Sequence, residues 1–108
     1  SVINQKIARA DDGRKTTYKK AAKEVLENPV LPEAQKREAI RLLEKMRAAS
    51  VLAESLMKID GGLRIECGKA LQQITGQTFG PSRAVSILKL KAIQKKWLGW
   101  LSENPGFN

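Results

Sequence analysis

The sequence predicts an all-α protein built from antiparallel helical hairpins, and three observations carry that expectation. Apolar residues recur at every third or fourth position along nearly the whole chain, the spacing that lines one face of a helix. No stretch sustains the strict alternation of a half-buried strand, and β-branched residues are scattered. Finally, "KREAIRLL" (Lys36–Leu43) and "RIECGKAL" (Arg64–Leu71) share one frame, basic-x-x-small-x-x-apolar-Leu, 28 residues apart. A small residue in mid-frame lets a neighbouring helix approach closely, and the apolar pair one turn later fills the groove so formed. One such hairpin cannot bury its own apolar face, so copies stack.

Six helices are expected. A short one spans Val2–Ala10, with Ile3, Ile7 and Ala10 on one face, and "ADDG" ends it. The second runs from about Lys15 to Glu27 with Tyr18, Ala21, Ala22, Val25 and Leu26 inward. "NPVLP" stops it, because each proline disfavours helix in the residue before it. Pro32 and Glu33 then start a third helix, a proline in the first turn and an acid near the positive end. It continues to about Arg47 and buries Ala39, Leu42, Leu43 and Met46. The fourth, Val51–Ile59, buries Leu52, Leu56 and Ile59 behind a candidate Ser50 N-cap. The fifth, Leu63–Thr75, sets Leu63, Cys67, Ala70, Leu71 and Ile74 on one stripe, with Gly76 as the left-handed C-terminal glycine. Gln77–Ser82 is a loop ending on a candidate Ser82 cap. The last helix, Arg83–Ser102, gathers Ile87, Leu90, Ile93, Trp97, Leu98, Trp100 and Leu101 on one side and Lys89, Lys91, Lys95 and Lys96 on the other. Links of about two to eight residues favour antiparallel neighbours. Residues 1–108 read as one helical-repeat domain, whole or a piece of a longer array, with a flexible solvated tail from about 103.

Composition bounds the function. The 42% hydrophobic content is ordinary for a globular chain, and 5% aromatic content makes its core aliphatic. There is no histidine, which removes His-based acid–base catalysis, Ser-His or Cys-His nucleophile pairs and His-ligated zinc. Cys67 stands alone, so it forms neither an internal disulfide nor a Cys-rich metal site. Nothing in the sequence brings Glu66 and Glu103 together as paired carboxylates. We expect no enzyme activity, no cofactor and no metal. No apolar run reaches the ~18–20 residues of a membrane span and no charged-then-apolar leader is present; the compartment stays open with a lean to the cytoplasm, and oligomeric state is open too.

The net charge of +9 is unevenly spread. Between Cys67 and Ser102 lie six basic residues (Lys69, Arg83, Lys89, Lys91, Lys95, Lys96) and no acid, and a second basic run is Arg14, Lys15, Lys19, Lys20 and Lys23. Such a balance favours acidic partners.

The segment Pro32–Trp100, about two-thirds of the chain, resembles bacterial HEAT-like repeats. Asp60-Gly-Gly-Leu-Arg64-x-x-Cys67-x-x-Ala70-Leu71 is similar to their Asp…Val/Leu-Arg-x-x-Ala-x-x-Ala-Leu helix, with Cys67 where Ala is usual. "ITGQTFGPS" followed by Trp97 and Trp100 is similar to a recurring ending of such domains. The second helix lacks the turn Asp, and the first thirty residues do not follow the pattern. The resemblance implies a short right-handed α-solenoid that presents a helix-lined face to a partner. It also implies structural roles for Asp60, which would accept backbone amides in its turn, and for Arg64, which would reach neighbouring turns.

Each sharper reading has a plainer rival. The glycine-rich turns at Asp60–Gly62 and Gly76–Gly80 follow no strand and lack P-loop or dinucleotide spacing, so they read as helix ends, with Phe79 as a plug. Cys67 has no base beside it and reads as a small buried residue. Trp97 and Trp100 read as closure of the hydrophobic end, with an exposed binding anchor as the alternative. The lysine face is the leading functional candidate: a surface for an acidic protein partner, or alternatively a phosphate-tracking nucleic-acid surface without base readout. A third reading makes the domain the end-cap of a larger array.

Overall fold

The computed structural model describes residues 16–107. Among them every regular element is helical: α1 covers 16–27, α2 Glu33–Lys45, α3 Ala49–Ser55, α4 Gly62–Thr75 and α5 Ile87–Glu103, with 3-10 turns at Leu56–Lys58 and Pro105–Phe107. The expected helix at Val2–Ala10, Arg14 and Lys15 lie outside the described residues. Five helices are thus described where about six were expected.

Helix α1 buries Ala22 and Leu26, while Tyr18 and Ala21, expected inward, are exposed. They border a shallow recess of about 440 Å³ shared with Leu42 of α2, which is exposed for the same reason. Pro32, in extended conformation, precedes α2, and Glu33 and Lys45 complement the two ends of its dipole. The buried face is Lys36, Ala39, Ile40 and Leu43; Met46 is half-buried beside it. α2 stops at Lys45 rather than Arg47 because Arg47 takes a left-handed conformation (φ 55°). The Arg47 and Ala48 amides close the turn onto the Glu44 and Leu43 carbonyls. The Arg47 guanidinium in turn donates to the Ile74 carbonyl at 3.0 Å, meeting an orphan acceptor at the negative end of α4.

This tight reversal lets α3 restart two residues early, at Ala49. Ala48 occupies the N-cap and Ser50 sits inside the helix, so Ser50 is not the cap that was expected. Ala48, Ala49, Leu52, Ala53 and Leu56 are fully buried. The three alanines let α2, α4 and α5 close around this short helix, all of which contact it. Burying Leu52 and Leu56 contributes about 1.5–3 kcal/mol each, as upper estimates.

Helix α4 has the buried stripe expected of it, Leu63, Cys67, Ala70, Leu71 and Ile74. Gly76 closes it at φ 75°, its amide donating to the Gln72 carbonyl at 2.8 Å. The following loop crosses Gly68 so closely that Pro81 lies against the bare Cα. Beyond it the chain bends at 82–83 and stays non-helical through Val85. α5 therefore begins at Ile87 and not at Arg83, and its cap is Ser86, whose hydroxyl accepts the Lys89 amide at 3.2 Å; Ser82 is not the cap. The buried line of α5 is Leu90, Trp97 and Leu101. Ile87 and Leu98, expected on that line, are exposed. Past Asn104 the chain turns back and Phe107 packs on Trp100 with ring centroids 5.1 Å apart, where a solvated tail was expected.

Candidate functional site

The candidate surface is the outer face of α5. Its orientation is set from inside. Trp97 is fully buried, donates its indole N–H to the Gly80 carbonyl at 2.6 Å and meets Phe79 edge-on at 4.8 Å. One turn away, the Gln94 side chain donates to the Ala53 and Glu54 carbonyls at 3.0 and 3.2 Å, pinning α5 to the last turn of α3. With these residues inward, Lys89, Lys91, Lys95 and Lys96 point to solvent. None makes an ion pair among the described residues. The same face exposes Leu88 (82%) and Ile87 (54%), with Leu98 and Ala92 alongside.

The second basic run meets this helix at Glu54. Lys23 of α1 places its ammonium 2.9 Å from the Glu54 carboxylate, whose own backbone carbonyl accepts from Gln94. Lys23 is held above its ordinary pKa first by that hydrogen bond and next by the charge of Glu54. It is therefore committed to an internal acid. Lys20 is exposed and Lys19 half-buried. The structure thus brings α1 and α5 to the two sides of one α3 residue, with a carboxylate at the seam.

The residues assigned structural roles fall as follows. Cys67 is buried, its thiol donates to the Leu52 carbonyl at 3.2 Å, and burial pushes its pKa far up, the opposite of an activated thiolate. Ala70 and Leu71 are buried beside it, Phe79 is half-buried against the core, and Trp100 is half-buried under Phe107. Arg64 donates from Nε to the Ile59 carbonyl at 2.7 Å, inside its own turn. The Asp60 side chain is 98% exposed, 3.8 Å from Arg64 Nη2, and α4 begins without a side-chain cap.

Three polar residues that position these elements were missed. Arg37 bridges Glu33 (3.0 Å) and Glu66 (2.7 Å), tying α2 to α4. Only its Glu33 half was legible, as an i, i+4 pair. Arg47 and Gln94 act across tertiary contacts that leave no local pattern. Among the described residues no three His, Cys, Asp or Glu side chains gather as a metal cluster, and no helix is long and apolar enough to cross a membrane.

Compared with known proteins, the chain matches no family model, and neither a curated sequence nor a solved structure matches it.

Proposed function

We propose that this chain is a non-enzymatic HEAT-like helical-repeat scaffold that binds an acidic protein partner through the outer face of α5. The observation that carries the reading is the mixture on that face: Leu88 and Ile87 stand exposed among four lysines that make no ion pair among the described residues. Tracking a phosphate backbone calls for charge alone. Exposed branched side chains between the lysines suit a partner that brings both carboxylates and apolar anchors, as amphipathic segments do. The repeat part of the proposal is supported by α2 and α4, which carry the shared frame, pack against each other and bury its small residues, Ala39 and Cys67.

Fluorescence anisotropy with a labelled Glu/Leu-rich peptide and a labelled DNA duplex, at two salt concentrations, tests it. The peptide is expected to bind, with affinity reduced both by Lys89/Lys95/Lys96→Glu and by Leu88→Ser. Duplex binding that falls steeply with salt and ignores Leu88→Ser, with no peptide binding, would replace this reading by the nucleic-acid one.

A further inference from the structure

Lys36 of α2 is only 7% exposed. Among the described residues it makes no ion pair and donates to no protein acceptor. What is buried is its aliphatic stem: the one buried side-chain polar atom without a partner among the described residues is Ser55 Oγ, so the Lys36 ammonium still reaches solvent. The contrast with α4 is direct: Arg64 holds the position in its helix that Lys36 holds in α2, 28 residues earlier, and Arg64 answers the Ile59 carbonyl.

Lys36 lines an open groove of about 320 Å³ between the 29–33 turn and the start of α4, where Asp60, Gly61 and Gly62 form the opposite wall. At that start the Leu63 and Arg64 amides donate to the Asp60 and Gly61 carbonyls at 3.1 Å. The Gly61 and Gly62 amides have no protein acceptor among the described residues, and no side chain caps the helix. Gly61 adopts φ 50°, and the space where either glycine's Cβ would stand is empty, so a ligand can reach this backbone closely. Two carboxylates border the groove without meeting Lys36. Glu33 is held by Arg37 at 3.0 Å, and the Asp60 side chain stands in solvent. The groove is lined by Lys36 and by Gly61 and Gly62, whose amides lack a protein acceptor among the described residues at the positive end of a 14-residue helix, a donor set that suits an anion.

We propose that this groove is an oxyanion-binding site in which Lys36 and the Gly61 and Gly62 amides hold one carboxylate or phosphate group. The site is separate from the α5 face and does not depend on its role.

The test is an amide NMR titration of the whole chain with sodium phosphate, sodium acetate and, at matched ionic strength, sodium chloride. Saturable shifts of the Gly61 and Gly62 amides with phosphate or acetate, but not chloride, are expected. The arm that saturates at lower concentration identifies the group. In Lys36→Met, which keeps the length of the stem, the dissociation constant is expected to rise at least tenfold. Absence of saturation in both arms, shifts matched by chloride, or unchanged affinity in Lys36→Met would each overturn the proposal. If Lys36→Met does not fold, the wild-type Lys36 side-chain resonances must titrate with the same dissociation constant as the two amides, and a different constant overturns the proposal.

Discussion

Gly68→Ala sets two effects of opposite sign against each other. Alanine in a helix interior is favoured over glycine by about 1 kcal/mol. Here, however, the new Cβ would sit 2.8 Å from the Pro81 nitrogen and 2.9 Å from its Cδ, and closer still to the Pro81 carbonyl oxygen. Carbon contacts are at rest near 3.5–4.0 Å, so either the loop or α4 must move by most of an ångström. The loop cannot swing away easily, since Trp97 holds the Gly80 carbonyl and Phe79 packs on its indole. Overpacking of this kind costs about 1–3 kcal/mol, and backbone on the receiving side puts Gly68 at the upper end. We expect a net loss of about 1–2 kcal/mol, which for a chain of this size lowers Tm by roughly 5–15 °C. Gly99→Ala is the matched control: it is exposed in α5 with nothing within 4 Å of a new Cβ, so it should raise stability by about 0.5–1 kcal/mol. Urea unfolding followed by circular dichroism reads both. A Gly68→Ala protein as stable as Gly99→Ala would refute the packing of the loop across α4.

Trp97→Phe removes the donor to the buried Gly80 carbonyl and leaves a void, so urea unfolding should show a loss of about 2–4 kcal/mol; a loss under about 1 kcal/mol would place the indole outside the core. Cys67 predicts a pH slope. Its native pKa is raised by burial from an ordinary 9.0, so below that pH both folded and unfolded chains keep the proton and stability does not depend on it. Above it the unfolded thiol ionises while the native one does not, and stability should fall by about 1.4 kcal/mol per pH unit. Cys67→Ala should flatten that part of the profile, and parallel profiles for the two proteins would contradict the burial. The Lys23–Glu54 pair is exposed, and a double-mutant cycle with Lys23→Gln and Glu54→Gln should give a coupling under about 1 kcal/mol that vanishes in molar salt.

Where a residue's role is decided by its own helix, the sequence was readable. The α4 stripe and Gly76 follow from periodicity and from the φ that only glycine takes easily. Where a distant contact decides, it was not. Ser82 and Ser86 look equally able to cap, and the choice falls to Ser86 because Pro81 must first pass Gly68. Arg47 ends α2 because its side chain has a carbonyl to reach on α4, 27 residues away. Tyr18 and Leu42 look inward on a helical wheel, yet they face each other across a recess. The lysine face of α5 was legible from spacing. Its exposed Ile87 and Leu98 were not, because the Gln94 bonds to α3 rotate the buried line of the helix past them. Lys36 was legible as the basic residue that opens the shared frame, but nothing near it in sequence signalled that its stem would be buried.

The central position of α3 has a consequence for cooperativity. Seven residues make two turns, too few to persist in water alone, and this helix has no side-chain cap to help it. It therefore exists only while α2, α4 and α5 stand around it, and they in turn lose the floor they rest on when it melts. A chain arranged in this way has no stable half: its hairpins cannot come and go independently as units of an open array might. The amides of Leu52 and Leu56 should exchange with solvent only when the whole molecule unfolds.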